Sequence, residues 1–466
     1  MGRSHSLPDR LLERARVQPE AVALVLDGER VSYAALHAMA TGAAARLRAL
    51  DLPPGASVAV RAVKSPETIA VIAACLLTRR PVLLASAELG EHALEALLAR
   101  AGCAALLDGP ATTRLTAGPP VGEDVSFMLT TSGSTGVPKI VPLDAGAVDR
   151  FTDWAGGRFG IGPGTAVLNY APLTFDLCLL DVWATLKAGG TVVLVDQERA
   201  SDGRHLAALV ESEGVEVVQG VPLLYRLIAD ASDSPLPGVR HVIVTGDKLS
   251  PRLLGRLPEL FPGARLYNVY GCTETNDSFL YEITGTEESV PIGRPLPGVE
   301  ALVVDETGAV LDGPATGELL VRTPFQTRGY VGGDAFPDGR FRSGDVVSRD
   351  EHGVFTLVGR NDFQVKVRGT RVNLQEVEHL LLAHEAAADA AVVGVPDELA
   401  GVRIHAVVRR TAPGALNSLA LRDYCRTRLP RAAIPSTIQV VDDPLPSTPT
   451  GKPDRRSIIE NLRNGS

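Results

Sequence analysis

Cysteine is sparse in this sequence, positive charge is short, and no long apolar run occurs. Five cysteines (Cys75, Cys103, Cys178, Cys272 and Cys425) are scattered over 466 residues with no C-x-x-C pair. That argues against a disulfide framework or a cysteine zinc site and fits a reducing, cytoplasmic setting. Acidic residues outnumber basic ones, 55 to 46, for a formal net charge of -9. Such a chain gains nothing from phosphate-backbone attraction, so nucleic acid is not an expected partner. No window approaches the roughly 18 apolar residues of a membrane span. The opening segment, MGRSHSLPDRLLERARVQPE, has no apolar stretch, so neither a leader peptide nor a membrane anchor is expected. No internal repeat is present.

The remaining composition is that of a globular protein, 45% hydrophobic and 22% charged. The length exceeds one ordinary hydrophobic core and predicts two or three packing units. The middle third alternates β-rich runs with amphipathic helical runs. TAVLNYAP, TVVLVD (191–196), VEVVQGV (215–221), HVIVTGD (241–247) and RLYNVYG (265–271) read as strands. Helices are expected at 175–188, closed by Gly189-Gly190, at 204–213, near 223–229 and near 251–260. Such alternation implies parallel strands joined by crossover helices. After about residue 290 the pattern turns β-rich, with a hairpin in VEALVVDETGAVLDG and short strands in GELLVR, FRSGDVVS and VFTLVGR. Beyond Asp362 it reads as a small α+β domain. The expected fold is therefore α/β: a large N-terminal region, 1–361, with parallel sheets and a β-rich subdomain, and a small C-terminal domain, 362–466.

The segment FMLTTSGSTGVPKIV (127–141) places small residues and hydroxyls between β elements. Gly133 and Gly136 permit close backbone approach to an oxyanion. Thr130, Thr131, Ser132, Ser134 and Thr135 offer hydroxyl donors, and Lys139 a positive charge, so the loop suits an anion. A flexible Ser/Gly/Thr hairpin loop is the other reading of this composition. The loop is not G-x-x-x-x-G-K-[ST], because Ile140 follows Lys139.

The run TSGSTGVPK resembles the signature of the acyl-adenylate-forming superfamily: acyl-CoA synthetases, luciferases and the adenylation domains of nonribosomal peptide synthetases. Further segments resemble that family's motifs in order: VSYAALHAMA (31–40), NVYGCTE (268–274), GELLVRTPFQTRGY (317–330), FRSGDVV (341–347), GRNDFQVKVRGTRVNLQEVE (359–378) and PTGKPDRR (449–456). Together they span nearly the whole chain. In NVYGCTE, Cys272 stands where the family usually has proline.

The resemblance implies ATP and Mg²⁺ as cofactors and a carboxylate attacking the α-phosphate while pyrophosphate leaves. Charge builds on the phosphorus oxygens, so cations and fixed donors belong there. By the resemblance, Glu274 organises the Mg²⁺ and Thr273 touches the α-phosphate. Tyr270 and Asn268, flanking Val269 and followed by Gly271, face the adenine. Asp345 accepts the ribose hydroxyls and Arg360 supports ribose and phosphates. The peptide-synthetase members often carry an aromatic residue where this chain has Leu357. Lys452 is implied as the principal catalytic cation, reaching both the attacking carboxylate and the α-phosphate. Asp362 is implied as a hinge, and Gly369 as the point where a pantetheine arm passes.

Amino-acid-activating members carry an F-D-x-S segment whose aspartate binds the substrate ammonium; here it is Phe175-Asp176-Leu177-Cys178. A carboxylate heading an apolar run needs a partner. A substrate ammonium is one, and a helix N-cap role for Asp176 is another. The same alignment lines the pocket with Leu177, Leu180, Leu224, Ile243, Thr245, Val269, Asp277 and Ser278. Of these, Leu177, Leu180 and Leu224 match stand-alone proline-activating members and the others do not. No carrier or condensation domain is recognisable. The expectation is a free-standing enzyme that activates an amino acid and transfers it to the phosphopantetheine of a separate carrier protein, with coenzyme A the less favoured acceptor. An acyl- or aryl-CoA ligase and a catalytically inactive homologue are the alternatives. The four residues Glu274, Asp345, Arg360 and Lys452 argue against the inactive homologue.

Overall fold

The structure, a computed structural model, describes residues 6–122, 124–131, 138–232, 234–247, 249, 251–285, 287, 289–360, 363–397, 400–446 and 454–464. The chain forms two compact units. One comprises residues 1–87, 98–130 and 140–361, the other residues 88–97, 131–139 and 362–466.

The first unit holds a nine-stranded sheet. Its strands lie in the order Arg294–Pro295, Asn276–Ile283, Arg265–Cys272, His241–Thr245, Val217–Gly220, Ala166–Asn169, Thr191–Leu194, Val22–Leu26 and Glu29–Ser32. The inner pairs are parallel and the outermost antiparallel. The strands alternate with helices as the periodicity predicts. Helix Gly203–Ser212 starts where Asp202 accepts the N–H groups of Arg204 and His205, and helix Pro222–Ala231 has proline in its first turn. A six-stranded sheet runs from Ala111–Arg114 to Lys139–Asp144. A five-stranded antiparallel sheet spanning Glu300–Arg360 is the expected β-rich part.

Two cores cover opposite faces of the nine-stranded sheet. One buries Val167, Ile243, Tyr267 and Val269 with helices Tyr33–Ala49, Pro66–Leu77 and Ala145–Arg158 and with strands of the six-stranded sheet. The other buries Leu168, Val218, Val242 and Val244 beneath helices Gly203–Ser212, Pro222–Ala231 and Pro251–Leu260. Alternation along each strand therefore decides which core a side chain enters.

The helix expected from Phe175 starts later and winds differently. Residues Leu173–Leu177 form turns, Leu179–Ala184 is a π-helix, and Thr185–Ala188 completes an α-turn closed by Gly189. Each π turn widens the spiral by one residue, a form concentrated at functional sites. Trp183 anchors this segment, fully buried with its ring 5.4 Å from that of Phe127.

The second unit pairs Gln364–Val367 with Thr370–Asn373 and builds a three-stranded sheet from Ala387–Asp397, Gly401–Arg410 and Thr437–Val441. Helices Leu374–Leu382 and Ser418–Arg426 carry residues into its main core, and Arg455–Asn464 carries Ile458 into a smaller one. The overall class is the expected mixed α/β architecture with a small C-terminal α+β domain. Among the described residues, no helix is long and apolar enough to cross a membrane.

Candidate active site

Most of the site residues expected from the sequence lie in the first unit, on and around the antiparallel pair Arg265–Cys272 and Asn276–Ile283. The pair is irregular: Tyr270 lies opposite Phe279, but Gly271 lies opposite Asp277. One extra residue is thus accommodated as a bulge, which re-aims the side chains beside it. Gly271 makes the approach feasible, because a Cβ there would lie 2.1 Å from the Asn276 carbonyl oxygen. Asn276 turns the chain in the left-handed region, with φ at 58°.

Glu274 sits in this turn, 2% exposed. The Tyr330 hydroxyl donates to its Oε1 at 2.7 Å, and Thr327 N–H donates to its backbone oxygen at 3.0 Å. The R-G-Y segment therefore holds the glutamate in place, which its spacing in sequence did not reveal. Among the described residues no three His, Cys, Asp or Glu side chains group as metal ligands. A single fixed carboxylate still suits Mg²⁺, which keeps several waters and works with substrate phosphates.

Asp345, 6% exposed, lies on strand Phe341–Arg349 opposite Arg360. It accepts the Tyr270 hydroxyl, and Ser343 Oγ accepts its N–H at 3.0 Å. Burial and the adjacent Asp345 charge push the Tyr270 phenol well above its usual range, so it stays a donor. The expected adenine and ribose residues are thus mechanically joined. Asn268 donates its amide to Pro291 O at 2.7 Å. Thr130 and Thr131 end strand Val125–Thr131, and Thr131 Oγ1 is buried without a hydrogen-bond partner among the described residues. Lys139 opens the next strand. Ser132, Gly133, Ser134, Thr135, Gly136, Asp362, Lys452 and the side chain of Arg360 lie outside the described residues.

In the second unit, Arg368 and Gly369 form a two-residue turn between paired strands, with φ at 50° and 82°. Positive φ at both positions is the I′ geometry, which matches the strand twist and explains the glycine locally.

Asp176 is half-buried. Burial pushes its pKa up, the Thr273 hydroxyl and the Leu177 N–H donate to it and oppose that, and the Glu274 charge raises it further. It caps no helix: the π-helix has Cys178 at its N-cap and no side-chain cap. Ile243, Thr245 and Val269 share a sheet face, through the pairing of Thr245 with Val269 and of Ile243 with Tyr267. Leu180 is buried in the core on that face, with Phe175 and Leu177 packed against it. Ser278 is buried and donates to Asn276 O at 3.0 Å. Leu224 does not join them. It belongs to the core on the opposite face, because it follows a strand-to-helix turn that leads beneath the sheet. The residue facing the Asp176 side at that point is Gln219, paired between Asn169 and Ile243.

Beneath this wall lies a polar group that the sequence reading missed. Lys64, 9% exposed, donates to Asn169 O at 3.1 Å and Tyr170 O at 3.0 Å. Burial pushes its pKa down to about 8, and Cys178, Asp181 and Asp196 oppose that. Asp181 is fully buried in the π-helix and accepts the Asn169 amide at 3.3 Å. Burial holds its carboxyl well above the ordinary range; Asn169 and Lys64 lower it and Asp277 raises it. Asp277, 9% exposed, is pushed up to about 8 by burial and by the Asp176 charge. A charged residue within an apolar helical run was the available signal for Asp181; nothing in sequence tied it to Lys64.

The AMP-binding enzyme family matches residues 11–117 and 108–331, and the AMP-binding enzyme C-terminal domain matches residues 376–452. The chain belongs to this family, the acyl-adenylate-forming superfamily of adenylating enzymes. Phosphinothricin tripeptide synthetase PhsB of Streptomyces viridochromogenes is 32% identical over 97% of this chain, which spans 42% of that relative's length. An L-proline--[L-prolyl-carrier protein] ligase of Pseudomonas fluorescens is 29% identical, over 98% of this chain and 99% of the relative. Among solved structures, o-succinylbenzoate CoA synthetase (MenE) from Bacillus subtilis shares the fold, with a TM-score of 0.86, 23% identity and coverage of 97% of this chain and 98% of that one.

Proposed function

We propose that this chain activates an amino acid with ATP as its aminoacyl-adenylate and passes it to the phosphopantetheine thiol of a separate carrier protein, in cytoplasmic specialised metabolism. The observation that carries this reading is Asp176: a half-buried carboxylate beside the Thr273-Glu274 turn, capping no helix and set against an apolar wall. A substrate ammonium would pair with it, leaving the substrate carboxylate directed at the adjacent ATP residues. Relatives named as L-proline and D-alanine carrier-protein ligases support an amino acid and a carrier acceptor.

In this reading Asp345, fixed by Tyr270, accepts ribose hydroxyl protons, and Glu274, fixed by Tyr330, holds the Mg²⁺ that neutralises the ATP phosphates. Lys452 stabilises charge at the α-phosphate in adenylation, and Gly369 lines the pantetheine path in transfer. The two residues serve different half-reactions from one C-terminal domain, so that domain pivots at Asp362.

Pyrophosphate exchange over amino acids and matched acids lacking the amino group tests the proposal. The wild type should activate only the amino acid, and Asp176→Ala should lose most of that activity. A half-buried carboxylate left without its ammonium partner disfavours the analogue, on the order of 10²-fold. An unchanged preference in Asp176→Ala, or turnover of simple acids by the wild type, would overturn it and point to an acyl-CoA ligase.

A further inference from the structure

We infer that the substrate is a diamino acid, its α-ammonium held by Asp176 and its side-chain ammonium by Asp277. This rests on the amino-acid reading above and adds the class of side chain.

The inference starts from an imbalance of hydrogen-bonding groups. The charge of Asp176 acts on Asp277 and that of Asp277 on Asp181, and one buried ammonium, Lys64, lies near Asp181. Lys64 spends its hydrogen bonds on two backbone carbonyls and acts on Asp181. Asp176 has the Thr273 hydroxyl and the Leu177 N–H. Asp277 has neither a cation nor a donor to its carboxylate among the described residues, although it is 91% buried by its 9% exposure.

A second, independent observation points the same way. Asn169 Oδ1, Asp181 Oδ1 and Gln219 Oε1 are buried acceptors with no donor among the described residues. Asn169 and Gln219 are cross-strand neighbours. Both lie in the row of Ile243, on the face toward Asp181. Buried polar groups are ordinarily satisfied, so acceptors collected in one place call for a ligand rich in donors. An ammonium brings three donors and one positive charge.

The bulge opposite Gly271 supplies the geometry. Its extra residue is Ser278, so Asp277 pairs with Gly271, two residues along the strand from Val269 of the apolar wall.

The test compares 2,4-diaminobutyrate with 2-aminobutyrate, homoserine and lysine in pyrophosphate exchange, with Tm shifts on adding each amino acid alone. The wild type should favour 2,4-diaminobutyrate or 2,3-diaminopropionate over 2-aminobutyrate by about 10²-fold or more in kcat/KM. Asp277→Asn should erase that preference. The Tm of the wild type, but not of Asp277→Asn, should rise with the diamino acid. Preference for a neutral side chain, or a diamino preference surviving in Asp277→Asn, overturns the inference while the amino-acid reading stands. Activation of only amine-free acids overturns both. If exchange is silent for every compound, the Tm arm decides: a rise with 2-aminobutyrate equal to that with 2,4-diaminobutyrate rejects the second ammonium.

Discussion

Asp277 shows how a single buried side chain couples ionisation to stability. Its carboxyl is held at about 8 in the folded chain, against an ordinary 3.8. Between those values the native state binds the proton more tightly than the unfolded chain does. Its stabilising contribution is therefore complete below about pH 4 and is lost as pH rises toward about 8. Asp176 and Asp181 face it and shift in the same direction, whereas Lys64 shifts down. Without substrate, the wild type should lose Tm between about pH 5 and pH 9, and Asp277→Asn should lose less. The Tm advantage of the variant should grow by several degrees across that range. Thermal denaturation at stepped pH measures it, and a gap that stays constant would show that Asp277 does not carry the proton.

The two faces of the nine-stranded sheet pack into separate cores, and their separation is testable with paired variants. Leu224→Ala should cost about 2–5 kcal/mol by opening a cavity in the core beneath helix Pro222–Ala231. The substrate profile should not change. Gln219→Leu, on the opposite face, should alter the substrate profile with little loss of stability. Chemical denaturation and exchange profiles of both variants check this, and a changed profile in Leu224→Ala would count against the assignment of faces. The same contrast explains what could be read beforehand. Strand and helix positions were legible because hydrophobic periodicity changes at each boundary. Facing was not legible in VVQG, because a strand buried on both sides carries no polar alternation. The π-helix was hidden because its hydrophobic run looks like any buried helix, and the bulge at Gly271 because one extra residue leaves no mark on composition. The residues that the motifs assign to ATP were visible in the sequence, but the side chains that support them were not. Tyr330 lies 56 residues from Glu274 and Tyr270 lies 75 from Asp345.

At the scale of the whole molecule, the proposed pivot gives the fifth expectation. Asp362→Pro fixes φ at one joint, so it should preserve one half-reaction and impair the other by an order of magnitude or more. Adenylate formation by pyrophosphate exchange and thioester formation on a carrier are measured separately. Equal loss or equal retention of both would remove Asp362 as the pivot. The cysteines give the chain a further property. Cys75, Cys103, Cys178 and Cys425 are buried, and Cys272, half-buried, stands in the turn that carries Thr273 and Glu274. Burial also pushes the thiols of Cys75 and Cys103 up to about 12, so they stay protonated. A maleimide fluorophore added to the native protein thus has one favoured attachment point, two residues from Glu274, the proposed Mg²⁺ residue. On the proposed assignment of Glu274, the unmodified chain can serve as its own reporter of nucleotide arrival.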